Sequence, residues 1–248
     1  MKNKGPTFLS VIIPVYNESK RVYKLTKILK YLGRNTFRTE IIVVNDGSKD
    51  NTLLKLKNLT SKKLQKNLNV KIISYRKNKG KGYAIKKGVL KARGKHRLFL
   101  DIDLSTPISE FQKFLTHLGK YDILIGSRKI KGAKVSQRQS LIREALGKNF
   151  TFLSQIILGL KVSDFTCGFK CFSTTASQTI FKLQRIDRWG FDCEILFIAK
   201  QLGFTIKEVP VIWKNDPNSK VRFPHDIISS FLELLKIRIN YFSGKYRL

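Results

Sequence analysis

Acidic residues are scarce. The chain has 248 residues, of which 17 are Asp or Glu against 49 Lys or Arg, a formal net charge of +32. From Asp50 to Asp101 there is no acid at all, while Lys and Arg recur throughout. A field of this sign attracts polyanions: nucleic acid, anionic lipid surfaces or phosphorylated substrates. Part of the excess falls at helix-exposed spacings and is ordinary solvated surface. Cysteine is also rare, and Cys167, Cys171 and Cys193 are an odd number with no disulfide framework, which predicts reduced thiols in a cytoplasmic protein. Cys167 and Cys171 lack the neighbouring His or Cys that a zinc site needs. The three histidines, His96, His117 and His225, stand in no motif. No apolar run reaches the length of a membrane span and no secretory leader is visible, so neither is expected. Gly-x-Gly-x-x-Gly after the first strand and Gly-Lys-Ser/Thr are both missing, which argues against a dinucleotide enzyme and a phosphate-loop NTPase. Helix-turn-helix, zinc-finger and RNA-binding signatures are absent too, and the aromatics fall at core-like positions. The charge alone therefore does not predict a specific nucleic-acid binder.

Hydrophobic residues make up 42% of the chain, enough for a substantial core. Phe8 to Val15 is apolar on both faces, as an inner parallel strand should be. Asn17 then reads as the cap of a helix with Val22, Leu25, Ile28, Leu29 and Leu32 on one face, ended by Gly33. Strands are predicted at Ile41 to Val44, Val70 to Tyr75 and Leu98 to Leu100. A leucine-rich helix follows the first of these, and a helix opened by Asn78-Lys-Gly80-Lys81-Gly82 follows the second. This alternation predicts an α/β chain with a doubly wound, mostly parallel sheet and helices on both faces, its ligand cleft at the strands' carboxyl ends. Beyond Pro107 the pattern predicts a helix at Phe111 to Leu118, a strand at Asp122 to Ser127 and a mobile basic loop at Lys129 to Gln139. Next come a long helix at Leu141 to Leu160, a short strand at Cys167 to Phe172, a helix at Phe191 to Leu202 and a strand at Thr205 to Trp213. An amphipathic helix at His225 to Tyr241 closes the chain.

The few acids concentrate where strands end. Glu18 follows the first strand, Asp46 the second, and Asp101 and Asp103 the fourth. Two carboxylates this close raise each other's pKa. A divalent cation carrying a diphosphate removes that repulsion, and Mg²⁺ commonly uses one or two carboxylates plus substrate phosphates. A plainer reading makes Asp103 the cap of the helix after Pro107, Asp46 a turn residue before Gly47, and Tyr16 a strand-end packing residue.

Val11-Ile-Ile-Pro-Val-Tyr-Asn-Glu18, Ile41-Ile-Val-Val-Asn-Asp-Gly-Ser48, Asn78-Lys-Gly-Lys-Gly82 and Asp101-Ile-Asp103 resemble, in order, the signatures of glycosyltransferase family 2. Gly126-Ser-Arg128, Asp164-Phe-Thr-Cys-Gly-Phe-Lys170, Arg188-Trp-Gly-Phe-Asp-Cys-Glu194 and Ser219-Lys220 are similar to its branch that makes polyprenyl-phosphate sugars, the dolichyl-phosphate glucosyltransferases and mannose synthases. The resemblance spans roughly residues 8 to 222. It implies a GT-A fold, a nucleotide-sugar donor, Mg²⁺ or Mn²⁺, and inversion at the anomeric carbon. It places Pro14, Tyr16, Glu18 and Asp46 in the base and ribose pocket, with Gly80 and Lys220 also on the donor. Asp101 and Asp103 would carry the metal, and Arg128 and Arg138 would clamp the acceptor phosphate. Asp164 would lie near the reacting centre. Mannose synthases usually place Gln two residues past the second aspartate, whereas Ser105-Thr106 here resembles the glucose branch and favours UDP-glucose over GDP-mannose. A lipid monophosphate needs no general base, being largely dianionic above its second pKa of about 6. A saccharide acceptor would need one, and Asp192 or Glu194 is then the candidate. The implied acceptor is a polyprenyl phosphate, so a catalytic domain over 1–223 and an interfacial helix over 224–248 on the cytoplasmic face of an anionic membrane are expected.

Overall fold

The structure is a computed structural model that describes residues 5–61, 64–216 and 225–247. Its strands are β1 (Leu9–Val15), β2 (Thr39–Asp46), β3 (Leu68–Tyr75), β4 (His96–Leu100), β5 (Ile123–Ser127), β6 (Lys134–Gln137), β7 (Phe169–Ser173), β8 (Ile206–Pro210) and β9 (Ile212–Lys214). The helices are α1 (Leu25–Gly33), α2 (Thr52–Thr60), α3 (Lys81–Lys91), α4 (Phe111–Leu115), α5 (Leu141–Leu158), α6 (Thr174–Leu183), α7 (Phe191–Gln201) and α8 (His225–Phe242). Seven strands form one sheet in the order β3-β2-β1-β4-β7-β5-β8, and β6 pairs with β9 in a separate two-stranded ribbon. Within the large sheet β7 is antiparallel to both neighbours, and every other pairing is parallel.

Side-chain alternation along the strands builds two cores, one on each face. In β1, Ile12 points into a core shared with α3, α6, α7 and α8, while Leu9, Val11, Ile13 and Val15 point into one shared with α1, α2 and α4. In β4, Phe99 goes to the first core and Leu98 and Leu100 to the second. A strand apolar at every position must be covered on both faces, and these are. Chain order runs β1, β2, β3 outward in one direction and then returns to put β4 on the other side of β1. The loops leaving β1 and β4 therefore diverge and open a crevice, the usual ligand position in an open α/β sheet.

Several local expectations need correction. Asn17 does not cap α1. It sits in the left-handed region with φ 50°, and its side chain accepts the Lys49 N–H at 2.8 Å, so it serves the loop after β1 instead. The Lys129–Gln139 stretch is only partly loop, since β6 pairs there with β9, Lys134 lying opposite Ile212, a distant partner that no local pattern reveals. Thr205 to Trp213 is two strands serving different sheets. The helix after Phe111 is shorter than expected, and α6, capped by Ser173 Oγ accepting from the Ala176 N–H, was missed. α8 is amphipathic as expected, and Leu234, Ile237 and Tyr246 at this end of the chain are buried in the core shared with α7.

His96, at the start of β4, is buried, with the Phe8 ring edge-on at 5.0 Å. Burial, with Lys95 adding to it, pushes its pKa down from 6.5 to about 4. The native state thus refuses a proton that the unfolded chain accepts. This contribution to stability is complete above pH 6.5 and is lost as pH falls toward 4. His96→Leu should remove that slope. Urea denaturation at pH 7 and pH 4 should show the gap between wild type and variant shifting by on the order of 3 kcal/mol.

Candidate active site

The crevice between β1 and β4 gathers most of the acids singled out from the sequence. Asp101 leaves β4 and is wedged between two groups. Lys81 Nζ, in the first turn of α3, lies 2.7 Å from one carboxylate oxygen and 3.0 Å from the other. The second group is Gly168, where a Cβ would stand only 2.0 Å from Asp101 Oδ2. The chain then turns sharply. The Leu104 N–H donates to the Asp101 carbonyl at 3.2 Å, and Leu104 itself has φ 55°, a conformation that costs a bulky side chain energy and is held only by its surroundings. Asp103 Oδ1 accepts the Ser105 N–H at 2.8 Å, and its carbonyl accepts from Lys24 Nζ at 2.6 Å. The helical turn after Pro107 has no side-chain cap, so Asp103 does not cap it.

Burial, followed by the charge of Asp101, raises the pKa of Asp103. The pair therefore carries negative charge that its surroundings do not fully offset, and a hard cation relieves that cost. Among the described residues no cluster of three or more His, Cys, Asp or Glu could hold a metal. Two carboxylates that leave the remaining ligand positions to phosphate and water fit Mg²⁺ or Mn²⁺ bound with a diphosphate.

The neighbouring wall is laced across the β1 and β2 loops. The Asn17 N–H donates to Ser48 Oγ at 2.9 Å and the Glu18 N–H to Thr52 Oγ1 at 2.7 Å. Glu18 pairs with Arg21 at 2.9 Å, Arg21 with Asp216 at 3.0 Å, and Asp216 with Lys24 at 3.3 Å. Pro14 and Tyr16 are half-buried beside them. Asp46 is buried, accepting from the N–H groups of Lys79 and Gly80 and from Asn78 Nδ2. Burial still raises its pKa against those donors. It therefore fixes the turn into α3 while forming part of the wall. Gly80 has φ 111°, and a Cβ there would meet the Asp187 carbonyl oxygen at 2.4 Å, so this glycine lets the loop before α7 close over α3.

On the β5 side Arg128 and Asp164 form one unit. Arg128 Nε and Nη2 each reach an Asp164 oxygen at 2.6 Å, and the Arg128 N–H donates to Oδ2 at 3.0 Å. Asp164 is fully buried; burial alone would raise its pKa, but Arg128 outweighs it and holds the carboxyl below the usual range. Arg128 also bonds Thr166 Oγ1 at 2.9 Å and lies over the Trp213 ring, which leaves Nη1 without a hydrogen bond among the described residues. Arg138, just past β6, is exposed. The Lys214 N–H donates to the Ser105 carbonyl at 2.8 Å, tying the β6–β9 ribbon to the Asp103 turn. Lys220 lies outside the described residues.

Sequence reasoning missed Arg21, Lys24, Lys81, Gly168 and the pairing of Lys170. Lys170 Nζ is fully buried and bonds Asp192 and the Cys167 carbonyl. Lys81 and Gly168 lay inside the motifs, legible as pattern but not as contacts. Arg21 and Lys24 gave no signal.

Residues 10–181 match Glycosyl transferase family 2. The chain belongs to that family and is a glycosyltransferase. It is 37% identical to a dolichyl-phosphate beta-glucosyltransferase of Trichomonas vaginalis, over 96% of this chain and 72% of that protein. It is 34% identical to a human protein of the same name, over 97% of this chain and 78% of the relative. A Mycobacterium tuberculosis glucosyl-3-phosphoglycerate synthase, solved with Mn²⁺, UDP and phosphoglyceric acid, superposes with a TM-score of 0.67. It covers 98% of this chain and 80% of that one at 18% identity, which speaks to the fold alone. The fold of this glycosyltransferase is GT-A.

Gly168→Ala tests the wedge around Asp101. Its methyl must displace the carboxylate, so the affinity for UDP in saturating Mn²⁺ should fall about tenfold or more, as when groups that orient a metal ligand are lost. Calorimetric titration, with thermal unfolding to verify the fold, checks it; wild-type affinity would mean Asp101 is not held by this contact.

Proposed function

We propose that this glycosyltransferase moves glucose from UDP-glucose onto a polyprenyl monophosphate of the dolichyl type, with inversion, at the cytoplasmic surface of a membrane. The names of the relatives support this. The observation that carries it is the state of the carboxylates. Asp192, one candidate base for a hydroxyl acceptor, is paired with buried Lys170. Glu194, the other, accepts the N–H groups of Arg185 and Ile186 and the Tyr246 hydroxyl, and burial raises its pKa. A phosphate acceptor needs neither, because it arrives already ionised.

In this reading a phosphate oxygen attacks the anomeric carbon from the face opposite the diphosphate. The bond to UDP breaks with its electron pair on the departing diphosphate, and no proton moves. Pro14, Tyr16, Glu18, Asp46 and Gly80 line the donor. Asp101 and Asp103 would hold Mg²⁺ or Mn²⁺, which when bound offsets the diphosphate's charge. Arg128, oriented by Asp164, offers Nη1 to the incoming phosphate, and Arg138 approaches from the ribbon. Arginine suits this because its donor fork matches phosphate oxygens.

The acceptor's apolar chain calls for a lipid-facing surface. Among the described residues no helix is long and apolar enough to cross a membrane. The long helices α5 and α8 touch through Phe150 and Phe231, whose rings are 5.5 Å apart. Both expose apolar side chains: Phe152 and Ile156 on α5, and Leu232, Ile239 and Phe242 on α8, the last 72% exposed. With Arg143 and Lys148 on one helix and Lys236 and Arg238 on the other, this pair has the composition of an interfacial surface for anionic lipid.

Two experiments test the reading. Labelled UDP-glucose and GDP-mannose competing for one polyprenyl phosphate should give a glucosyl product, and a mannosyl product overturns the donor. Arg138→Ala should lower kcat/KM for the lipid roughly ten- to a hundredfold, the worth of a lost charged hydrogen bond, while UDP-glucose affinity holds. A variant that loses the donor and keeps its lipid kinetics assigns the ribbon to the donor instead.

A further inference from the structure

Two lysines sit among the site's carboxylates, and only one of them can move. Lys170 is fully enclosed and bonded to Asp192 and the Cys167 carbonyl, so it is fixed. Lys81 is different. Its side chain is 18% exposed and starts from the first helical position of α3, with the Trp189 ring 5.7 Å from its ammonium. Burial lowers its pKa, but the charges of Asp101, Asp192 and Asp103 outweigh this and raise it, so the ammonium stays charged. Its hydrogen-bonding partner is Asp101, whose two oxygens it bridges. Asp101 is crowded at its other contact by Gly168, where even a Cβ would stand 2.0 Å from its Oδ2. A divalent cation that uses Asp101 must therefore compete with this ammonium for the same two carboxylate oxygens.

We infer that Lys81 is a positioning residue that exchanges partners: it bridges Asp101 until the cation and the donor diphosphate arrive together, then turns its ammonium to the diphosphate. This rests on the proposed nucleotide-sugar donor and deepens it. Asp101 and Asp103 have Lys81 as the one ammonium on their carboxylate oxygens, since Lys170 is paired with Asp192 and Lys24 with Asp216, so these two carboxylates keep one surplus negative charge between them. Adding a bare divalent cation beside an undisplaced Lys81 overshoots that charge and sets two cations against each other. Adding the cation with a diphosphate supplies an anion for the released ammonium. Lys81 thus makes the site discriminate against free metal and in favour of the metal with its nucleotide. A flexible ammonium with three donors can make that turn, where a rigid planar fork would do so poorly.

The exchange predicts opposite signs for two affinities. Free Mn²⁺ is titrated by its electron paramagnetic resonance signal without nucleotide, and UDP by calorimetry in saturating Mn²⁺, for wild type, Lys81→Met and Lys81→Arg. Lys81→Met should bind bare Mn²⁺ about tenfold more tightly than wild type and UDP about tenfold more weakly, each the worth of one charged contact. Lys81→Arg keeps the charge and should leave bare Mn²⁺ affinity near wild type while restoring part of the UDP affinity. A purely structural lysine would weaken both on removal. Lys81→Met with bare Mn²⁺ affinity equal to or below wild type, or with unchanged UDP affinity, overturns the exchange. If Lys81→Met does not fold, Lys81→Gln is measured by the same criteria. Failure of wild type itself to bind UDP would instead overturn the uridine donor, a separate outcome.

Discussion

Two carboxylates of like charge, Asp101 and Asp103, held at the end of a buried strand, set the terms for the rest of this molecule. Their repulsion and partial burial are costs that the fold must offset, and the surrounding residues do so in kind. Lys81 bridges Asp101. Lys24 reaches the carbonyl of Asp103, and the Ser105 N–H reaches its carboxylate. These contacts do not outweigh burial and the neighbouring charge of Asp101, which together keep the Asp103 pKa raised. A site with negative charge left over, open toward solvent at Asp101, suits a cation that brings its own anionic ligands.

The same economy explains the basic excess. In the proposed reaction the donor diphosphate and the phosphate acceptor are both anions, and only their close approach permits reaction. Where such groups must meet, the protein has invested its few acids in fixing cations rather than in proton transfer. Asp164 locks Arg128, Asp192 locks Lys170, and Asp216 holds Arg21 and Lys24 together. A buried carboxylate beside a guanidinium orients it at small entropic loss and keeps it charged. The lysines scattered over the outer helices do none of this. They give a long-range field of the sign that attracts polyanions.

Glycine has a matching role at close quarters. Gly168 admits the Asp101 carboxylate, and Gly80 admits the Asp187 carbonyl, which brings the loop before α7 down onto α3. Those approaches put Trp189 beside Lys81 and join elements that are separate in the chain into one cleft. At Gly80 a side chain would meet the backbone of Asp187, and at Gly168 it would meet the Asp101 carboxylate itself, so a larger residue at either position moves the site.

Much of this was determined by sequence alone. Strands apolar at every position demanded covering on both faces, and their alternation with helices fixed the doubly wound sheet and its crevice. Acids at the carboxyl ends of three parallel strands, Glu18 after β1, Asp46 at the end of β2 and Asp101 with Asp103 after β4, fall on one edge of the sheet, which the alternation alone predicts. What the tertiary structure decided was which charge each one faces. Arg128 meets Asp164 across 36 positions, Lys24 meets Asp216 across 192, and β6 finds β9 on the far side of three helices. A strand or a helix is written in the spacing of neighbours, because its hydrogen bonds and its apolar face repeat over a few residues. An ion pair between distant segments repeats nothing, and it exists only once the sheet order has brought its two ends together.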